Sequence, residues 1–253
     1  MSKIFDALRK AERERPQRLR GRSSAPRSPR SPEAAVQLIA GVDEAFRRSL
    51  LNLRNSIDSE MKNKDVRIIM FTSALSGEGK TTIVSYLARL LAASESVRIL
   101  LVDCAVRRPE IHTLFGLQNS PGILDYLAGT AELDTVVISV DAGVFDVVPC
   151  GTSMSEDIAQ PLFNSERMEA FLRVAAESYD YVLIDTSAVL EAPETPIIGA
   201  YSNGTVMIVQ AGRTKREVVK RAMMMIQKLD GRLIGTVLNR KKYHIPEFIY
   251  RRV

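Results

Sequence analysis

Ser73-Ala74-Leu75-Ser76-Gly77-Glu78-Gly79-Lys80-Thr81-Thr82 is the stretch that decides how this chain folds. It follows an apolar run, Arg67–Phe71, and leads into a helix-period segment, Thr81–Ala93. Gly77 and Gly79 let the backbone turn tightly and aim its N–H groups at an anion. The start of the helix adds a positive dipole at the same place. Lys80 brings a mobile positive charge, and the Thr81 hydroxyl suits Mg²⁺. The stretch matches G-x-x-x-x-G-K-[ST] except that Ala74 stands where the first glycine falls.

Working outward, short Val/Ile/Leu-rich runs recur at Val66–Thr72, Arg98–Asp103, Val144–Pro149, Tyr181–Asp185, Thr205–Gln210 and Leu233–Leu238. Helix-period segments, among them Ser165–Ser178 and Lys215–Leu229, separate them. Continuous apolar strands alternating with helices predict an α/β fold of the P-loop NTPase class: a mostly parallel sheet with helices on both faces. Right-handed crossovers then gather the C-terminal strand ends on one edge, where ligands bind. Two runs end in acids, Asp103 and Asp185, and Arg107 and Arg108 follow the first. Before the first strand, a helix is expected over about Asp43 to Met61, burying Ala45, Phe46, Leu50, Leu53 and Ile57.

The chain has 253 residues, of which 45% are hydrophobic and 26% charged. That composition supports a packed core and excludes collagen-like and wholly disordered readings. No stretch approaches the ~18 apolar residues of a membrane-spanning helix. Two cysteines, Cys104 and Cys150, are too few for a disulfide framework and point to a reducing cytoplasm. The net charge of +5 is unevenly placed: residues 1–32 carry +7 and the last fifteen carry +4, leaving the body at −6. The expected organisation is an amphipathic helix over residues 1–15, with Ile4, Phe5 and Leu8 on one stripe. A basic, disordered linker over 16–35, the nucleotide domain over 36–238 and a basic tail over 239–253 follow. The basic ends favour an anionic partner, such as the inner leaflet of a membrane, nucleic acid or an acidic protein face. The linker has no aromatics for stacking bases, so nucleic acid is not an expected partner. His112 and His244 lack metal-spaced companions, so zinc is not expected.

The run Val102 to Leu117, with Asp103, Arg107, Arg108 and Pro109, resembles the second acidic motif of bacterial tyrosine kinases. These are the P-loop autokinases of capsule and exopolysaccharide synthesis. Pro121–Gly129, Val148–Gly151, Tyr179–Thr186 and Val237–Asn239 resemble further family motifs in the same order. Glu44-Ala45-Phe46-Arg47 is similar to the family's oligomerisation motif, and Met1–Arg15 to the start of its soluble members. The resemblance implies a site for ATP and Mg²⁺. Ser76, Gly77, Glu78, Gly79, Lys80, Thr81 and Thr82 would hold phosphates, and Asn239 would reach the adenine edge. Thr81, Asp185 and Asp103 would serve the metal. Lys80, Asp103 and Asp185 would be catalytic, with Asp103 accepting a tyrosine proton. Tyr243 and Tyr250 would be the phosphoacceptors. The resemblance also implies a homo-oligomer at the inner face of the plasma membrane, held there by a transmembrane polysaccharide chain-length or export protein.

Three departures from the family pattern keep a second reading open, a regulatory ATP-binding module without efficient transfer. Ala105 stands where the family carries a second Asp, Leu50 where it carries a second Arg, and only Tyr243 and Tyr250 where it carries a Tyr-rich tail; Ser187-Ala188 also replaces its usual two prolines. Division- and partition-type ATPases share the fold, but they carry a Lys at the position of Leu75, and no Lys lies between Thr72 and Glu78.

Overall fold

A computed structural model describes residues 42–62, 66–93, 97–141 and 144–241. The amphipathic N-terminal helix, the linker and both tail tyrosines expected from the sequence lie outside these residues. The described elements run α1 (Glu44–Glu60), β1 (Arg67–Ser73), α2 (Lys80–Ala92), β2 (Ile99–Cys104), α3 (Ile111–Leu114), α4 (Ile123–Leu127), α5 (Leu133–Val136), β3 (Ile138–Val140), β4 (Phe145–Val148), α6 (Glu156–Phe163), α7 (Glu166–Ser178), β5 (Tyr181–Thr186), α8 (Glu194–Tyr201), β6 (Gly204–Gln210), α9 (Arg216–Gln227) and β7 (Leu233–Asn239).

The seven strands lie in the order β3-β4-β2-β5-β1-β6-β7. Every pairing is parallel except β3 with β4. All six expected strands are present. The seventh, β3, is a three-residue edge strand too short to show a pattern of its own. Consecutive residues of the central strands face opposite sides: Ile69, Leu101 and Leu183 join one core, Met70, Val102 and Ile184 the other. The first core packs under α1 and α2 through Leu50, Ile57, Leu87 and Leu91. The second packs under the helices of the opposite face through Phe163, Phe171, Ala222 and Ile226.

Helix α1 forms where the periodicity places it. Asp43 caps it by accepting the Phe46 N–H at 3.1 Å. Its buried face differs in one residue: Ala45 is exposed, while Leu50 and Ile57 are 2% and 3% exposed. Leu50 is thus a packing residue, and an Arg there would drive a charge into the core. The Tyr181 hydroxyl donates to Asp58, pinning α1 to the head of β5. No helix among the described residues is long and apolar enough to cross a membrane.

This order puts β1 beside both β5 and β6. The turn leaving β1 therefore sits between the acid-bearing ends of β2 and β5 on one side and the ends of β6 and β7 on the other.

Candidate active site

The loop between β1 and α2 takes the shape its glycines predict. Gly77 has φ +79° and Gly79 φ +92°, the left-handed region that favours glycine. At Gly79 a side chain would also strike the Asn239 amide. Gly79 opens α2, so Lys80, Thr81 and Thr82 form its first turn. All three, with Ser76, Gly77 and Gly79, line a cavity of about 720 Å³. Ala74, at the position of the missing first glycine, is fully buried and packs in the core.

The strand ends bring the acids together. Asp103 and Asp185 are register partners on β2 and β5 and are both 0% exposed. The Thr81 hydroxyl donates to Asp185 Oδ2 at 2.6 Å. Asp185 Oδ1 is buried with no hydrogen-bond partner. Asp103 accepts the Ala105 N–H at 3.0 Å and the Ile111 N–H at 3.1 Å, which folds the chain after β2 back towards the site. Burial, and for Asp103 the neighbouring Asp185 charge, pushes both carboxyls above their ordinary values. For Asp185, the Thr81 hydroxyl and the Lys80 ammonium oppose this rise. A hydroxyl, two carboxylates and an orphaned carboxylate oxygen beside a phosphate loop form a hard oxygen donor set that fits Mg²⁺.

Glu78 acts differently from its neighbours. Its side chain is 0% exposed and turns away from the cavity. It accepts the Leu75 N–H at 3.0 Å, the Gln210 N–H at 2.8 Å and the Thr214 hydroxyl at 2.5 Å. A carboxylate repels phosphate, and this one braces the loop against the end of β6. Asn239 is a second brace: its amide nitrogen donates to the Glu78 carbonyl at 2.7 Å and its oxygen accepts the Arg240 N–H at 2.8 Å. In this arrangement its side chain holds the loop. Glu191 is a third, accepting the Ser76 N–H at 2.9 Å. The sequence reading missed the roles of Glu78 and Glu191. A Glu inside a phosphate loop, where its charge is wrong for the ligand, was the available signal.

Two of the departures lie at the same cavity. Ala105 lines it, as do Ser187 and Ala188. The Ser187 carbonyl accepts the Thr72 and Thr195 hydroxyls at 2.9 and 3.2 Å, tying β1 to α8. The far wall comes from the segment after β2 and the start of α6, joined by Arg107 Nε to Glu156 Oε1 at 2.6 Å and Arg107 Nη2 to Glu156 Oε2 at 2.9 Å. Cys104 and Cys150 are buried free thiols, pushed well above the usual thiol range by burial.

A family model described as an AAA domain, AAA_31, matches residues 66–236, about two thirds of the chain. The chain belongs to the AAA_31 family. Among its relatives are bacterial tyrosine-protein kinases. The tyrosine-protein kinase YwqD of Bacillus subtilis is 29% identical over 190 residues, which covers 75% of this chain and 79% of that protein. The tyrosine-protein kinase Etk of Escherichia coli is 29% identical over 187 residues, 74% of this chain and 25% of that one. The chain therefore spans most of the first relative and a quarter of the second. The solved kinase domain of the E. coli enzyme superposes with a TM-score of 0.75 and 26% identity, covering 84% of this chain and 83% of that domain. The MinD cell division protein of Aquifex aeolicus, at 21% identity and a TM-score of 0.58, shares the fold. Fold and family thus agree with the reading of the sequence.

Proposed function

We propose that this AAA_31 protein is an ATP-dependent protein-tyrosine autokinase of an exopolysaccharide or capsule system. One observation carries the reading: the Thr81 hydroxyl and the Asp185 carboxylate meet at the mouth of a preformed phosphate loop, with a free carboxylate oxygen beside them. The names of the relatives support the kind of transfer.

In this reading the N–H groups of Gly77 to Thr82 and the Lys80 ammonium cradle the phosphates of ATP. Thr81 and Asp185, with Asp103 behind, would hold Mg²⁺, which neutralises charge on the transferring phosphoryl group. A tyrosine hydroxyl of a neighbouring subunit, Tyr243 or Tyr250, is the acceptor. With a pKa of ~10 it must lose its proton during attack. Asp103 is the candidate to take that proton, since its carboxylate stands beside that of Asp185 at the same strand edge. Positioning and charge neutralisation supply most of the rate enhancement. A homo-oligomer on a transmembrane chain-length or export partner, at the inner face of the plasma membrane, completes the proposal.

A second reading, a regulatory nucleotide-binding module, is favoured by Ala105, which puts a methyl group on the cavity wall where the family pattern has a carboxylate. Mass spectrometry of the purified chain after incubation with Mg·ATP separates the two. Phosphate on Tyr243 or Tyr250, absent from Lys80→Ala, supports the kinase. Tightly bound nucleotide with unmodified tyrosines supports the module, and Ala105→Asp should then raise transfer.

A further inference from the structure

The ends of β6 and β7 carry two guanidinium groups to the phosphate loop, and no carboxylate pairs with either among the described residues. Arg240 Nη1 donates to the Gly77 carbonyl and to Gln210 Oε1, both at 3.3 Å. Arg213 Nη1 donates to the same Gln210 oxygen at 3.3 Å. A side chain built on Gly77 would lie 3.5 Å from Arg213 Nη1. Two like charges thus converge on one neutral amide oxygen. Such an arrangement repels itself until something electron-rich arrives.

Arg240 is also held in an unusual backbone conformation. Its φ is +55°, uncommon for a residue with a side chain, and its N–H is locked to Asn239 Oδ1. That conformation turns the guanidinium back over the loop, where it lines the same cavity as Lys80 and Thr82. The loop therefore has polar groups on both sides. On the β5 side, Lys80 and Thr81, whose hydroxyl donates to Asp185, suit terminal phosphates and a cation. On the β6–β7 side it is flanked by Arg240. With the Asn239 amide engaged on the Glu78 carbonyl, Arg240 is the next polar side chain on that flank.

We propose that Arg240, backed by Arg213, receives the nucleoside end of the nucleotide. Its planar guanidinium lies against the face of the purine. Arginine suits this task because it is planar, permanently charged and weakly hydrated, and it stacks well on aromatic faces. The proposal rests on the nucleotide-site reading above and adds the residue that distinguishes a nucleotide from bare polyphosphate.

The test is calorimetric titration of the full chain with ADP and with inorganic pyrophosphate, each in Mg²⁺. Arg240→Ala should weaken ADP binding about tenfold while shifting pyrophosphate binding less than about twofold. Arg213→Ala should weaken ADP binding about threefold, and Arg240→Lys should recover part of the Arg240→Ala loss. Retained pyrophosphate binding also shows that the loop of each variant is folded. Equal loss for both ligands would make Arg240 a phosphate contact or a brace and overturn the proposal. So would unchanged ADP binding. If the unsubstituted chain bound pyrophosphate and ADP equally, the proposal would fail with the nucleotide site intact. If it bound neither, the nucleotide reading would fail as well.

Discussion

The two sides of the cavity are built in different ways. On the loop side, Glu78 is wholly buried and accepts three hydrogen bonds, and Asn239 and Glu191 each hold another part of the same turn. On the far side, an ion pair between Arg107 and Glu156 joins two segments, and its side chains are 43% and 36% exposed. Buried charge-assisted bonds are costly to break, whereas exposed ion pairs contribute about 0–1 kcal/mol. The phosphate side is therefore rigid before any ligand arrives. The far side yields easily.

The largest break in this contrast should come from Lys80→Ala, which removes the mobile charge and leaves the braces. Nucleotide affinity should fall by about a hundredfold, taking one or two charged hydrogen bonds at about 1.5–3 kcal/mol each. Thermal unfolding without ligand should barely move. A large drop in melting temperature would show that Lys80 is itself part of the brace.

Next comes Glu78→Ala. It leaves the N–H groups of Leu75 and Gln210 and the Thr214 hydroxyl without their acceptor. With water entering part of the gap, the cost should be about 3 kcal/mol, or roughly 10 °C in melting temperature for a domain of this size. Glu78→Gln keeps one acceptor oxygen and should recover part of the loss. If Glu78→Ala melted with the parent, the loop would not depend on this carboxylate.

Asp185→Asn should act in the opposite direction. Both acids are raised in the fold, mainly by burial, so the folded chain holds their protons more tightly than the unfolded chain does. Their contribution to stability is present below the ordinary carboxyl pKa and is lost as pH rises through the raised values. In EDTA, stability should thus fall from about pH 5 to pH 8, and Asp185→Asn should flatten that slope and gain about 1 kcal/mol at pH 8. The same variant should lose the extra stabilisation that Mg²⁺ adds in the presence of ADP. A less stable variant at pH 8 would mean that the acid pair is better compensated than its geometry indicates.

The smallest effect belongs to the yielding wall. Arg107→Ala should change stability by less than about 1 kcal/mol, and less again in high salt. ADP affinity should stay near that of the parent. A large loss of ADP binding would make this wall part of the nucleotide site.

Much of this was legible beforehand, because strongly periodic, local signals carried it. The six long strands, α1, α2 and the left-handed glycines all follow from residues adjacent in sequence. The pairing of Thr81 with Asp185 was also foreseeable, since strand ends share an edge in a parallel sheet. What escaped was set by strand order. Glu78 looks like a loop residue until β6 is known to lie beside β1. Arg213 and Arg240 look like surface charge until β6 and β7 bring them to Gly77, more than 130 residues away in sequence. Leu50, by contrast, was placed on the buried face of α1 by periodicity alone, and it is core there. The short helices α3, α4, α5, α6 and α8, of four to eight residues, show too few turns for a period to stand out.

The strand β7 ends in Asn239, which holds the Glu78 carbonyl, and the next residue holds that of Gly77. The polypeptide thus leaves the sheet by way of its own nucleotide pocket. Any pull on the segment beyond Lys241 is transmitted to the phosphate loop across two residues, as a leash tugs at a latch.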